Sequence, residues 1–266
     1  FYSVSVDVVN DEINYQQNYD IDEKRVEFKD SITNLELRKI GFSYSEDINI
    51  FRDLSFNLNE GDKVGVVGRS GSGKTTLVNL LTGLQQPTKG NISINEKNFT
   101  DIYTTKQIGL VTQNPTLLDN NIISNLTFFQ NEKDIDYEHL NFLIKICELE
   151  SLVNSLPKGL KTKIGSSDGK FSSGQLQRFS LVRTLYMKPS FLILDEGFNA
   201  LDIDTERKIL DNLDKLKFLK ILIVVSHRIT GFKNCNKFMF LNNKQIEIQT
   251  SNQIDKIKEK IENFLK

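Results

Sequence analysis

The sequence predicts an α/β fold: a mainly parallel sheet with helices on both faces, preceded by an antiparallel β region and interrupted by a helical insert. Three observations predict it. A glycine-rich turn at residues 68–76, Gly-Arg-Ser-Gly-Ser-Gly-Lys-Thr-Thr, joins an apolar run at 63–67 to an apolar helical pattern at Leu77, Leu80, Leu81 and Leu84. Beyond it, short apolar runs alternate with segments of helical period, the pattern of strands and crossover helices. One such run, residues 191–194, ends in Asp195-Glu196.

Taken in order, residues 1 to about 30 are polar and acidic, rich in Asn, Gln and Asp, with no sustained period; a linker or frayed lead-in is expected. From Asn34 the pattern alternates through Leu35, Leu37, Ile40 and Phe42, and again through Leu54, Phe56 and Leu58, around a turn-like stretch at 45–49. That alternation reads as antiparallel strands placed before the strand at 63–67. The helix after the glycine-rich turn ends near Gly83, with Pro87 and Gly90 as breakers; Ile92 and Ile94 mark one strand and residues 108–111 another. Residues 135–155 read as helical, with Leu140, Leu143, Ile144 and Cys147 on one face. A loop rich in Gly, Ser and Lys at 157–175 feeds a helix carrying Leu176, Phe179, Leu181, Val182 and Leu185. The strand at 191–194, a helix at 203–216, a strand at 220–225 and a strand pair near 237–249 follow. Ile254, Ile257, Ile261 and Phe264 give a closing amphipathic helix. There is no internal repeat.

With 266 residues the chain is one large domain or two modest ones, either able to bury a sizeable core. A formal net charge of -1, with Lys and Arg spread among Asp and Glu, gives no case for nucleic-acid binding. The two cysteines, Cys147 and Cys235, lie in apolar patterns without metal-ligand spacing and read as core residues of a reducing compartment. No apolar run approaches the length of a membrane span. The chain begins at Phe1 rather than Met, as expected of a piece of something longer or a processed chain.

The turn at 68–76 is a phosphate cradle. It fits the strand, G-x-x-x-x-G-K-[ST], helix arrangement of a P-loop, in which backbone N–H groups and the positive helix N-terminus surround a nucleotide's phosphates. Gly68, Gly71 and Gly73 are expected to take positive φ and approach the oxygens closely; Arg69, Ser70, Ser72 and Thr76 complete the cradle. Lys74 reaches the β- and γ-phosphates, and the Thr75 hydroxyl is placed to ligate Mg²⁺. Asp195, at a strand's carboxyl end, is the partner expected to hold the Mg²⁺ water shell, and Glu196 the general base for a water in line with the γ-phosphate. His227, directly after the run at 221–226, sits at the same kind of strand end and could donate to the γ-phosphate; taken alone, such a histidine is more often structural. Gln113 ends the 108–112 strand at the same edge. Ser172 with Gln175 is a capping box for the helix that follows. A capped helix N-terminus is also an anion site, so residues 172–175 could meet a phosphate of a second molecule packed head to tail.

In their order these residues resemble the nucleotide-binding domain of the ATP-binding cassette (ABC) transporter family, over roughly residues 34–250. Gln113 matches the Q-loop; Phe171-Ser-Ser-Gly-Gln175 stands where the signature L-S-G-G-Q belongs; residues 192–196 match Walker B; Asn199-Ala-Leu-Asp202 matches the D-loop; His227 matches the switch histidine; Tyr44 matches the aromatic that stacks on adenine. The resemblance implies a P-loop NTPase core with an N-terminal antiparallel β subdomain and a helical signature subdomain at about 115–187. Residues 34–266 would be the nucleotide-binding domain, and residues 1–33 a linker or the tail of a membrane domain. It implies ATP and Mg²⁺, the ion held by Thr75, Gln113 and Asp195. Catalysis would fall to Glu196, His227, Lys74 and Gln113. Nucleotide would be bound by Tyr44 and the cradle, with Ser172, Ser173, Gly174, Gln175 and Asp202 facing a partner's nucleotide. The implied partners are a second nucleotide-binding domain, the same or different, and a transmembrane domain, at the cytoplasmic face of the cell (inner) membrane. Residues 114–119, 122–126 and 162–165 look like the exporter version. Three positions depart from the family: Ser173 replaces the first signature glycine, which strains the loop if positive φ is needed there; Ser166 replaces a glutamate; Asn199 replaces the usual D-loop serine. Two other readings stay open at this point, a non-hydrolytic ATP-binding assembly module and a soluble cassette ATPase acting on DNA or ribosomes. A P-loop kinase would need an acceptor site and lid that the sequence does not offer.

Overall fold

Two-residue alternation along the apolar runs decides the architecture. A computed structural model of the chain describes residues 25–45, 48–104, 106–164, 171–242, 245–250 and 257–265. The elements are β1 (Val26–Glu27), β2 (Asn34–Ser43), β3 (Asn49–Asn59), β4 (Lys63–Gly68), α1 (Lys74–Thr82), β5 (Lys89–Ile94), β6 (Lys97–Asn98), β7 (Ile102–Tyr103), β8 (Ile108–Thr112), α2 (Ile122–Leu126), α3 (Tyr137–Ile146), α4 (Glu150–Ser155), α5 (Ser173–Tyr186), β9 (Phe191–Asp195), α6 (Ile203–Leu213), β10 (Ile221–Val225), β11 (Lys237–Asn242), β12 (Gln245–Thr250) and α7 (Lys258–Leu265).

The central sheet has the order β12-β11-β4-β10-β9-β8 and is parallel except for β12, which pairs antiparallel with β11. Its inner strands are apolar on both faces through their middles, with Lys63, Lys237, Asn242 and Asp195 at strand ends, because both faces are covered. Phe191, Ile193, Ile221, Ile223 and Val225 face one way, into a core shared with α1 and with the antiparallel sheet β3-β2-β5-β6. Leu192, Leu194, Leu222 and Val224 face the other way, into a core shared with α3, α5, α6 and α7. This is the α/β arrangement the sequence predicts, with the helical insert between β8 and β9.

Three local departures have physical causes. The helical stretch expected at 135–155 divides into α3 and α4, with Glu148 at φ 56° between them and its carbonyl accepting from the Arg178 guanidinium. The five-residue α2, too short to show a period, is set by Asn121, whose side chain accepts from the Ser124 N–H at 2.7 Å. The lead-in expected to run through residue 33 joins the domain sooner. β1 pairs in parallel with β7, Phe28 and Ile32 are buried, and the Ile32 N–H donates to Ser190 Oγ at 2.7 Å. Residues 1–24, Ser166 and Ile254 lie outside the described residues. Among the described residues no helix is long and apolar enough to cross a membrane.

Candidate active site

Register alone gathers the site. Asp195 at the end of β9 stands level with Thr112 of β8 and Val225 of β10, and Val225 stands level with Val66 of β4. One or two residues further along these four neighbouring strands come Gln113, Glu196, His227 and Gly68. The carboxyl ends of the parallel strands therefore place residues more than a hundred positions apart along one edge, where an open α/β sheet collects ligands.

The turn between β4 and α1 has the geometry of a cradle. Gly71 and Gly73 take positive φ, 75° and 100°. At Gly73 a Cβ would also fall 2.9 Å from Ile50 Cγ2 and 3.0 Å from Phe51 Cζ, so glycine is required twice over. Gly68 does not adopt the positive φ expected of it; its need is spatial, a Cβ there meeting Ser72 Oγ at 2.5 Å. Lys74 is buried and its amine donates to the carbonyls of Gly68 at 2.8 Å and Arg69 at 3.0 Å. Burial pushes the Lys74 amine below its ordinary value, against the charges of Glu196 and Asp195. The Ser72 hydroxyl is buried without a hydrogen-bond partner, and Thr75 is exposed beside it. Arg69, Ser70 and Ser72 open onto a cavity of about 500 Å³ shared with Ile50 and Asn242. Tyr44 is half exposed; its hydroxyl lies 3.1 Å from Thr76 Oγ1 and its ring meets Phe42 edge-on at 4.9 Å. It is thus tied to the first turn of α1.

Across the edge, Asp195 lies beneath the cradle. Its carboxyl is pushed up by burial and then by the neighbouring Glu196 charge, and drawn down by Lys74. Glu196 is in the left-handed region at φ 53°, which costs a non-glycine residue about 1 kcal/mol. It is held there from several sides. Its N–H donates to the Val225 carbonyl at 3.0 Å, His227 Nε2 lies 2.8 Å from Oε1, and Asn199 Nδ2 donates to Oε2 at 2.8 Å. The Gln113 side chain is exposed and makes no hydrogen bond among the described residues, while its carbonyl accepts from Gln177 Nε2 at 2.9 Å.

The capping box is formed. The Gln175 N–H donates to Ser172 Oγ at 3.2 Å, and the Ser172 N–H donates to Gln175 Oε1 at 2.9 Å. The expected strain at Ser173 does not arise, since Ser173 is the first residue of α5 and not a positive-φ position. Gly174 is the position where only glycine fits, because a Cβ there would lie 2.7 Å from the Ala200 carbonyl oxygen. Among the described residues no hydrogen bond joins 172–175 to the chain's own cradle. The Asp202 carboxylate caps α6, accepting from the Thr205 N–H at 2.9 Å, which holds it below its ordinary value.

Sequence reasoning missed the residues that tie these parts together. Gln177, buried, bridges the Gln113 carbonyl and the Ala200 N–H. Arg228 donates to the carbonyls of Asn199 and Leu201, each at 2.8 Å. Neither stands out by period. For Arg228 the only signal was adjacency to His227. A P-loop lysine facing two strand-end carboxylates, one paired with a histidine, is equipped to bind a nucleotide's phosphates and to activate a water against them.

Comparison with known proteins agrees. Residues 51–199 match the family model described as ABC transporter. The chain is 35% identical over 212 residues to the ATP-dependent lipid A-core flippase of Bordetella avium (strain 197N), covering 78% of this chain and 36% of that protein. It is 32% identical over 225 residues to the human ATP-binding cassette sub-family B member 5, covering 83% and 18%. The structure of a bacterial Atm1-family ABC exporter with ATP bound superposes with a TM-score of 0.78 at 25% identity, covering 88% of this chain and 41% of that one. The chain thus spans about a third or less of the length of these two relatives. Matched over more than half its length and carrying the cradle and carboxylate pair in place, the chain belongs to the ABC transporter family, as an ATP-binding, ATP-hydrolysing domain.

Proposed function

We propose that this domain is the motor of an ABC exporter, working as a head-to-tail dimer and attached to a transmembrane domain at the cytoplasmic face of the cell (inner) membrane. The observation that carries the reading is Glu196, fixed 2.8 Å from His227 at the sheet edge that the Lys74 amine of α1 faces. The names of the relatives, a flippase and an exporter among them, support transport. A formal net charge of -1 supports a role without nucleic acid.

Each residue has its task. The N–H groups of 69–76 and the positive end of α1 hold phosphate oxygens, and Lys74 exchanges its two carbonyl partners for the β- and γ-phosphates. The exposed Tyr44 ring takes the adenine. Glu196 accepts the proton of the attacking water, and His227 fixes the carboxylate while reaching the γ-phosphate. Hard oxygen donors at Thr75, Asp195 and Gln113 suit Mg²⁺, and the raised Asp195 carboxyl marks a place where a cation relieves repulsion. When bound, Mg²⁺ neutralises charge on the phosphate oxygens. Residues 172–175 turn a helix N-terminus outward for the partner's nucleotide. The reading of a non-hydrolytic module, which the departure at Ser173 left open, loses that support because Ser173 takes an ordinary helical position.

Glu196→Gln should bind ATP and turn it over about 10²-fold more slowly or worse; turnover at the unmutated rate would move the base elsewhere. The solution mass of this variant by light scattering tests the assembly. A dimer with Mg-ATP and a monomer with Mg-ADP are expected, and a monomer with ATP bound would sink the dimer.

A further inference from the structure

The turn at 199–201 has each of its residues gripped by a side chain from another part of the site. The Asn199 carbonyl accepts from Arg228 Nη2 and the Leu201 carbonyl from Arg228 Nη1, each at 2.8 Å. The Ala200 N–H donates to Gln177 Oε1 at 3.2 Å. The other end of the Gln177 amide donates to the Gln113 carbonyl at 2.9 Å. Gly174, three residues before Gln177 on α5, rests against the Ala200 carbonyl closely enough to exclude a Cβ. The turn is thus braced by α5, by the end of β8 and by the residue after His227. Among the described residues, its one outgoing side-chain hydrogen bond is Asn199 Nδ2 to Glu196 Oε2 at 2.8 Å, on the carboxylate whose other oxygen faces His227.

We propose that Asn199 is a positioning residue for hydrolysis, fixing the plane of the Glu196 carboxylate by donating to Oε2, with Gln177 setting the position of the turn that carries it. The inference rests on the reading of Glu196 as the base. A carboxylate held at one oxygen swivels about its terminal torsion, which is broad; held at both, it presents the same lone pairs to water at each turnover. Each oxygen keeps a second lone pair, so the two donors orient Glu196 without blocking it. The left-handed backbone of Glu196 makes the hold matter more, because the fold places its Cα and Cβ rigidly and leaves the distal torsions as the remaining freedom. Serine, one heavy atom shorter and without the amide, cannot make the same contact from the same backbone.

The test uses steady-state ATP hydrolysis and nucleotide Kd for this chain and for Asn199→Ala, Asn199→Asp, Gln177→Met and the pair Asn199→Ala with Gln177→Met. Asp has the shape of Asn but cannot donate, and it sets a like charge against Glu196; Ala removes the contact and adds none. Positioning by donation therefore predicts a kcat lowered about tenfold in the Ala variant and further in the Asp variant, with Kd unchanged in both. A packing role predicts the reverse order, Asp near the unmutated chain and Ala lowest, and that order, or an unchanged kcat in Asn199→Ala, overturns the proposal. Because Gln177 acts through the turn, adding Gln177→Met to Asn199→Ala should lower kcat by less than the product of the two single effects; full additivity refutes that link. Glu196→Gln serves as the control. If it leaves turnover intact, the reading of the base has failed; if it abolishes turnover while Asn199→Ala does not, only the present inference has.

Discussion

Adjacent residues of one motif meet different demands. Ser173 opens α5 with ordinary helical backbone, and its side chain is exposed, so nothing asks for glycine there. One position on, a Cβ would strike the Ala200 carbonyl oxygen at 2.7 Å, closer than real contacts allow. Ser173→Gly should therefore leave ATP turnover within about twofold, while Gly174→Ala should displace the 199–201 turn and cut turnover about tenfold with little change in nucleotide Kd. Equal tolerance at both would show that the turn yields without consequence. At this scale the sequence displayed the motif but not which of its small residues was necessary, because the constraint comes from Ala200, 26 residues away. The same limit explains Asn199. It was visible as a departure from a pattern, and only its distance to Glu196 gave it a task. Lys74 was legible from the glycine-rich motif it closes, and Asp195, Glu196 and His227 because they follow short apolar runs that could hardly be anything but buried strands.

Elements were legible in proportion to their length and period. The buried strands β4, β9 and β10 and the helices α1, α3, α5 and α6 were each foreseen, whereas α2, β6 and β7, of two to five residues, show no repeat to read. Nor does periodicity report a charged residue that an element buries. Glu206 of α6 is almost wholly enclosed, accepts from Thr230 Oγ1 at 3.2 Å and lies 4.0 Å from the Arg228 guanidinium. Burial raises its carboxyl above the ordinary value, with Thr230 and Arg228 opposing. A group whose folded pKa is raised adds stability below its unfolded value and loses it as pH climbs through the folded one. Glu206→Gln mimics the protonated form. Its Tm advantage over the unmutated chain should therefore be absent near pH 4 and grow toward neutrality. An advantage that shrank over that interval would mean that the ion pair with Arg228 outweighs the cost of burial.

Over the whole molecule, the parallel sheet separates two cores. The cradle helix α1 belongs to one and α5, with its signature residues, to the other; the strands between them carry the reactive edge. The boundary of the domain was the part of this organisation least visible in the sequence. Phe28 and Ile32 sit in a polar stretch with no repeating neighbour, and they are held by Tyr103 of β7, by Lys97 of β6 over the Phe28 ring and by Ser190, contacts that no local pattern announces. Ile32→Ala should lower the free energy of unfolding by about 2–5 kcal/mol in chemical denaturation, as for any fully enclosed isoleucine. A change under about 0.5 kcal/mol would return residues 25–33 to the status of a linker. The core on the α5 side also encloses both cysteines. Cys147 and Cys235 are buried, and burial pushes the Cys235 thiol up to about 12 and that of Cys147 higher still. Thiolate is the reactive form, so neither sulfur is open to maleimides or mild oxidants while the fold holds. The native chain is in practice a blank background for thiol labelling. A single cysteine introduced on the exposed surface, near residue 172 or residue 70, would carry a spin label or dye alone and turn opening and closing of the proposed dimer into a distance that can be followed in time.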